Sequence, residues 1–257
     1  MSQKRLEGKV AIVTGLGSGI GQACALMFAR QGARVVSCDI NAPAAEAVLA
    51  AARAEGLALD SVHPCDLTRP DDVRKLVDLT VDRHGGIDIL VNAAAWGAFA
   101  FIEEMDFASQ WKKTLAGELD VVFLACQAVW PHMQRRGGGS IVNFASANAY
   151  EALAGSGALA HCAGKGGVLA MTRQLAMEGG KHGIRANTIS PALVVTGATK
   201  PRLDHEPGFR ETVLSKMMIG RLGTPEDIAY CALYLASDEA GWVTAADFKL
   251  DGGATAW

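Results

Sequence analysis

The sequence predicts a single α/β domain in which a doubly wound parallel sheet of about seven strands carries helices on both faces. Short, nearly continuous apolar runs alternate with longer helical patterns along all 257 residues. The apolar runs are rich in β-branched residues, as expected for parallel strands that are covered on both faces. No linker, internal repeat or shift of composition divides the chain, so the predicted domain covers residues 1–257.

The predicted elements alternate in order along the chain. Strands are expected at residues 9–14, 34–39, 59–64, 87–92, 140–145, 185–190 and 245–250. Helices are expected at residues 19–31, 71–84, 111–136, 159–181 and 224–235. Thr224 followed by Pro225 is typical of a helix start, and Gly137 is placed to end the third of these helices. Residues 194–218 form an irregular insertion after the sixth strand, where we expect a lid over a substrate.

The composition argues against several classes of protein. A formal net charge of −3 offers no basic field for nucleic acid or anionic lipid. The six cysteines lack the spacing of zinc ligands, so they predict buried thiols in a reducing compartment and no metal site. Neither a signal-peptide core nor an apolar run of about 18 residues occurs, which leads us to expect a cytoplasmic protein without a membrane partner.

A glycine-rich loop connects the first predicted strand to the first helix. Glycines there permit a tight turn and let backbone N–H groups approach a pyrophosphate. Asp39 ends the second predicted strand, where a carboxylate accepts both ribose hydroxyls and repels a 2′-phosphate. The pattern predicts a site for NAD rather than NADP. Its expected contacts are Gly15, Gly17, Ser18, Gly19, Ile20, Gly21 and Asp39.

Five ordered motifs cover almost the whole chain. They are the Gly-x-x-x-Gly-x-Gly loop, Cys65-Asp66-Leu67-Thr68, Asn92-Ala93-Ala94-Ala95, the segment from Asn187 to Thr196, and Asp251-Gly252-Gly253. Together they resemble the short-chain dehydrogenase/reductase family, which implies a Rossmann-like fold and a homotetramer paired through its long helices and last strand. The resemblance also implies cofactor contacts at Asp66, Leu67, Asn92, Lys165, Pro191, Val194 and Thr196.

The catalytic motif of that family is altered in this chain. In the family a Tyr transfers the proton, a Lys holds the ribose, a Ser polarises the substrate oxygen and an Asn positions a water relay. Ser146 and Lys165 match, whereas His161 stands at the Tyr position and Glu118 aligns with the Asn. The resemblance therefore implies a catalytic quartet of Glu118, Ser146, His161 and Lys165, with the last two on one helix face.

Three assignments of the proton-transfer group remain open at this point. An unperturbed imidazole has a pKa of about 6.5, nearer to neutrality than the value of about 10 for a phenol, so a histidine base suits alcohol oxidation. An imidazole also reaches less far from its helix than a phenol does. Tyr150, four residues after Ser146, is the second candidate. The third possibility is a site without an essential acid or base from the protein.

The leading functional hypothesis is an NAD-dependent oxidoreductase that transfers a hydride between a secondary alcohol or hydroxy compound and NAD. The alternatives are a non-redox enzyme that runs an elimination, dehalogenation or isomerisation on an NAD-binding scaffold, and a non-catalytic NAD(H)-binding regulatory protein. The retained Ser146 and Lys165 favour the first hypothesis. A moderately apolar hydroxy or keto substrate is expected, with a pocket lined by Trp96, Phe99, Asn148, Tyr150, Val194 and Met217.

Overall fold

A computed structural model of the chain describes residues 4–257. Seven strands form one sheet in the order β3-β2-β1-β4-β5-β6-β7, and every neighbouring pair is parallel. They are β1 (Val10–Thr14), β2 (Arg34–Cys38), β3 (Leu59–Val62), β4 (Ile89–Asn92), β5 (Gly139–Phe144), β6 (Ile184–Pro191) and β7 (Asp247–Leu250). The predicted fold class is confirmed. The strand order reverses at β1 and β4, which places a ligand crevice at the carboxyl ends of these strands.

Helices cover both faces of the sheet. They are α1 (Gly19–Arg30), α2 (Ala42–Ala54), α3 (Pro70–His84), α4 (Val121–Arg136), α5 (Leu159–Gly179), α6 (Lys200–His205), α7 (Phe209–Ser215) and α8 (Pro225–Ala236). On β1, Ala11 and Val13 join the apolar cluster under α1, α2 and α8. Ile12, between them, joins the cluster under α3, α4 and α5 because successive strand residues point to opposite faces.

The chain leading into α4 is helical but widened. The π-helical segments Phe107–Lys112 and Ala116–Asp120 flank the short α-helix Lys113–Leu115 and continue directly into α4. The helix therefore begins earlier than the predicted start at residue 111. Isolated π-helical turns occur frequently at functional sites. The second π-helical segment contains Glu118, which is buried.

The predicted helix ends are present. The Thr224 side chain accepts a hydrogen bond from the backbone N of Asp227 at 3.3 Å, and the Asp227 carboxylate accepts one from the backbone N of Thr224 at 2.8 Å. This reciprocal pair is a capping box at the start of α8. Gly137 ends α4 in the left-handed conformation with φ 76°.

The segment after β6 lies over the carboxyl end of the sheet. It contains α6 and α7, which neither hydrophobic periodicity nor cap residues had predicted. Leu203, Phe209, Val213 and Met217 form an apolar cluster of their own there. Lys216 Nζ lies 3.4 Å from Glu151 Oε2, so an ion pair joins this segment to the loop after β5.

Between residues 4 and 257, no helix combines the length and the apolar character needed to cross a lipid bilayer.

Candidate active site

The glycine-rich loop is held tightly between β1 and α1. The backbone N atoms of Gly15 and Leu16 both donate to the carbonyl oxygen of Cys38, at 2.9 and 3.0 Å. Gly15 has φ 83°, a conformation that favours glycine. A Cβ on Gly21 would lie 2.1 Å from the carbonyl oxygen of Gly15. These two positions therefore require glycine if the loop is to turn directly into the helix.

Asp39 follows β2 and lies against this loop. Its Oδ2 accepts a hydrogen bond from the backbone N of Gly17 at 2.7 Å, and its Oδ1 accepts one from the backbone N of Asn41 at 2.7 Å. The backbone N of Cys65 donates to the carbonyl oxygen of Asp39 at 2.9 Å, which brings the next motif alongside. Asp66 follows, with its Oδ1 accepting from the Thr68 hydroxyl at 2.7 Å. The structure thus brings the loop, Asp39 and the Asp66–Leu67 motif together.

The remaining predicted cofactor residues lie at the carboxyl ends of β4 and β6. Asn92 is buried, and its amide donates to Asn143 Oδ1 at 2.8 Å, so its side chain ties β4 to β5. Pro191 ends β6, and Val194 and Thr196 follow it on the wall of a large cavity. Thr196 also lies against the glycine-rich loop, because a Cβ on Gly19 would be 3.1 Å from Thr196 Cγ2.

The cavity at this edge of the sheet has a volume of about 1020 Å³. Five of the six residues that the sequence analysis placed in a substrate pocket line it, namely Trp96, Phe99, Asn148, Val194 and Met217. Ile20 and Lys165, which were predicted to contact the cofactor, line it as well. One continuous space therefore borders both the predicted cofactor residues and the predicted substrate residues.

Glu118, His161 and Ser146 are joined by hydrogen bonds on the wall of this cavity. His161 Nδ1 lies 2.7 Å from Glu118 Oε1, and His161 Nε2 lies 3.3 Å from Ser146 Oγ. The carboxylate is 4% exposed and the imidazole 17% exposed. The centroid of the Phe99 ring lies 5.5 Å from that of the His161 imidazole, and both residues line the cavity. Three members of the predicted quartet are thus connected through the imidazole.

Lys165 lies one turn after His161 on α5. It is 7% exposed, and its Nζ donates to the carbonyl oxygen of Phe144 at 3.0 Å. Burial lowers the pKa of Lys165, and the nearby carboxylate of Glu118 opposes that effect. The ammonium group is therefore fixed at the end of β5, beside the position of Ser146.

Tyr150 lies outside the lining of the cavity. Its hydroxyl donates to Asp247 Oδ2 at 2.8 Å, and Lys249 Nζ lies 4.1 Å from the centroid of its ring. Burial and the Asp247 carboxylate raise the pKa of Tyr150 to about 12. The phenol is therefore bound to β7 and protonated at neutral pH, away from the three hydrogen-bonded side chains.

Two glycines that the sequence analysis did not select make room for Glu118. A Cβ on Gly97 would lie 2.8 Å from Glu118 Oε1, and a Cβ on Gly164 would lie 2.9 Å from Glu118 Oε2. Gly164 lies three residues after His161 on α5, so it faces the same side of the helix. The position of Gly164, three residues after His161, was the feature of the sequence that could have indicated a side chain packed beside the imidazole.

Comparisons with known proteins were consistent over the full length of the chain. A family model described as enoyl-(acyl carrier protein) reductase matches residues 15–255. The D-threitol dehydrogenase of Mycolicibacterium smegmatis is 42% identical over 98% of this chain and 94% of that protein. The 3-oxoacyl-[acyl-carrier-protein] reductase FabG of Thermotoga maritima is 37% identical over 97% of this chain and 98% of that protein.

Solved structures show the same likeness. A 7α-hydroxysteroid dehydrogenase in complex with NADH and 7-oxo glycochenodeoxycholic acid superimposes with a TM-score of 0.91. It is 33% identical in sequence, and the match covers 98% of this chain and 96% of that one.

Proposed function

The chain belongs to the short-chain dehydrogenase/reductase family, and we propose that it is an NAD-dependent dehydrogenase in which His161 transfers the proton. Members of the family named above are dehydrogenases and reductases of hydroxyl or keto groups, and this chain is an enzyme of that kind. The observation that carries the proposal is the 3.3 Å contact between His161 Nε2 and Ser146 Oγ on the cavity wall.

The loop after β1 fits a dinucleotide. A Cβ on Gly17 would lie 3.0 Å from Asp39 Oδ2, so glycine is what allows the loop to approach that carboxylate. In the proposal the loop backbone binds the pyrophosphate and Asp39 accepts the ribose hydroxyls. The negative charge of Asp39 disfavours a 2′-phosphate, which is the basis for NAD over NADP. Once bound, NAD supplies the acceptor for a hydride from the carbinol carbon.

The proton moves through His161. When an alcohol is oxidised, its hydroxyl lies between Ser146 and the imidazole, and Nε2 accepts the proton. Nδ1–H continues to donate to Glu118, whose carboxylate stabilises the positive charge that forms on the ring. In the reverse direction Nε2 returns the proton to the substrate oxygen. The imidazole contacts Ser146 directly, which supports His161 despite its shorter reach.

The substrate in this proposal is a moderately apolar compound with one or two hydroxyl or keto groups. Phe99, Leu153 and Met217 give the cavity apolar walls, while Glu151 and Lys216 add a polar edge. The three similar proteins reported above are named for a small polyol, a 3-oxoacyl-[acyl-carrier-protein] and a hydroxysteroid, and the polyol and the steroid give two classes for a first panel.

The test is turnover on that panel. Secondary alcohols, polyols and hydroxysteroids are incubated with NAD⁺ or NADP⁺, and the absorbance of the reduced nicotinamide is followed. We expect turnover of at least one class with a preference for NAD⁺. Tight NAD binding without turnover of any compound would favour a regulatory protein. Consumption of substrate without a net change in cofactor would favour a non-redox enzyme.

The proposal also includes a lid and a homotetramer. The ion pair of Lys216 with Glu151 supports residues 194–218 as a lid that closes over the cavity. Exposed apolar side chains on the two long helices, such as Phe123 and Met177, support pairing through α4 and α5. Sedimentation at micromolar concentration should give four times the chain mass of 26.9 kDa, and a species of 26.9 kDa would contradict the tetramer.

A further inference from the structure

Glu118, His161 and Ser146 form a linear series of carboxylate, imidazole and hydroxyl. The first contact is 2.7 Å and the second is 3.3 Å. The three groups come from different elements: the π-helical segment Ala116–Asp120, helix α5, and the loop that follows β5. Enzymes of several unrelated folds use this order of groups to activate a serine for acyl transfer. Proton transfer in a dehydrogenase does not itself require a nucleophilic serine.

The hydrogen bonds orient the protons for such a nucleophile. A carboxylate is only an acceptor, so His161 Nδ1 carries the proton that is donated to Glu118. Nε2 is then the acceptor for the Ser146 hydroxyl. Ser146 Oγ also accepts a hydrogen bond from the backbone N of Asn148 at 3.1 Å, which leaves its own hydrogen free for the imidazole. The histidine tautomer is therefore the one that a general base needs.

The carboxylate lies in a space built for it. Gly97 and Gly164 provide that space, since a Cβ on either would lie within 2.9 Å of a Glu118 oxygen. Glu118 Oε2 is buried and has no hydrogen-bond partner among residues 4–257. A buried carboxylate with an unsatisfied oxygen is stabilised when positive charge forms beside it. Proton transfer from Ser146 to His161 creates that charge.

We propose that Ser146, His161 and Glu118 also hydrolyse small, apolar carboxylic esters without a nicotinamide cofactor. In the first half, Ser146 Oγ bonds to the ester carbonyl carbon while its proton moves to His161 Nε2. The bond to the alcohol oxygen then breaks, and that oxygen takes the proton from Nε2 to leave an acyl-serine. In the second half, a water oxygen bonds to the acyl carbon and gives a proton to Nε2, and Oγ regains it as the acid departs.

The cavity suits the acyl group of such an ester. Phe99 lies beside the imidazole, and Leu153, Phe209 and Met217 add further apolar surface. The Asn148 side chain lines the same cavity and carries N–H donors, which a tetrahedral intermediate needs for its oxyanion. No oxidant or reductant takes part in the reaction. This activity therefore goes beyond the proposed dehydrogenase and does not depend on it.

The test uses the full-length chain with p-nitrophenyl acetate and no nicotinamide. Ser146→Ala and His161→Ala should each lower the rate of nitrophenolate release about a hundredfold. Glu118→Gln should lower kcat about tenfold and leave the KM for the ester within about twofold, because Glu118 positions the imidazole and does not touch the ester. The matched control is Ser61→Ala, which removes a serine whose Oγ lies 3.2 Å from His63 Nδ1 and should leave the rate unchanged.

A second measurement keeps the inference testable if a variant fails to fold. Wild-type protein is treated with a fluorophosphonate, and peptide mass spectrometry locates the adduct, which we expect on Ser146. An adduct absent from Ser146 would overturn the inference. So would ester hydrolysis that persists at the wild-type rate in Ser146→Ala. NADH formation by the wild-type protein on the alcohol panel is measured separately, so either result is distinguishable from failure of the dehydrogenase proposal.

Discussion

The two halves of the ligand-binding edge are built in different ways. Around β1 and β2, the backbone itself forms the site: Gly21 lacks room for any side chain, and Asp39 is held by the backbone N of Gly17. Around β5 and α5, side chains form the site, and the hydrogen bonds from Glu118 through His161 to Ser146 determine its chemistry. In the proposal, the residues around β1 and β2 bind the cofactor. The residues around β5 and α5 determine which reaction takes place.

The difference predicts different responses to substitution. A backbone site tolerates few changes, and each change affects binding. A site made of side chains depends on each of the hydrogen-bonded groups and on the space around them. A methyl group that does not touch the substrate can therefore change the reaction rate if it displaces one of these groups. Substitutions around β1 and β2 should therefore change ligand binding, and substitutions around β5 and α5 should change the reaction rate.

The largest expected effect comes from His161→Ala. Removal of a general base lowers turnover about 10²–10⁴-fold, so NADH formation should fall by that factor while NAD binding stays within about twofold. His182→Ala is the matched control, because His182 contacts Gln134 near the opposite edge of the sheet and should keep wild-type turnover. A comparable loss of NAD affinity in His161→Ala would mean that the two halves are not separable.

The second effect concerns cofactor choice. Asp39→Ser removes a carboxylate from the proposed ribose site, and a charge-assisted hydrogen bond is worth about 1.5–3 kcal/mol. The ratio of kcat/KM for NAD⁺ over NADP⁺ should therefore fall about tenfold to a hundredfold. Asp82→Asn, which removes one charge from the exposed side of α3, should leave the ratio unchanged. An unchanged ratio in Asp39→Ser would contradict NAD selection by this residue.

A smaller effect is expected from Gly164→Ala. Its Cβ would lie 2.9 Å from Glu118 Oε2, so the carboxylate must shift away from the imidazole. We expect turnover to fall about tenfold with little change in the KM for NAD⁺. Gly166→Ala is the matched control on the same helix, because its Cβ meets no atom within 4 Å. It should keep full activity and gain about 0.5–1 kcal/mol of stability from improved helix propensity.

The smallest effect is expected from Tyr150→Phe. The substitution removes the hydrogen bond to Asp247 and a phenol whose pKa is raised to about 12 by burial and that carboxylate. Because this group stays protonated well above neutral pH and lies outside the cavity lining, turnover should change less than about twofold. A loss of turnover as large as that expected in His161→Ala would show that Tyr150 takes part in the reaction.

Much of the fold was predictable because apolar runs and glycine turns are local signals. The seven strands and the start of α8 follow from such patterns. Helix α2 was not among the predicted helices, although Asn41 caps it and Ala45, Val48, Leu49 and Ala52 form a buried stripe at helical spacing. The members of the quartet were predicted from the resemblance to the family's catalytic motif. The hydrogen bonds among them could not be predicted, because Glu118 and His161 are 43 residues apart in sequence and Glu118 lies in a π-helical segment. The orientation of the Tyr150 side chain could not be predicted either, since it depends on a hydrogen bond to Asp247 of the last strand.

The most direct test of the central claim is chemical rescue of His161→Ala. The variant is supplied with NAD⁺ and a substrate found in the panel, and NADH formation is measured as free imidazole is added. If the imidazole of His161 moves the proton, added imidazole should restore NADH formation in a saturable way and should not restore it in Ser146→Ala. NADH formation at the wild-type rate in His161→Ala without added imidazole would contradict the account.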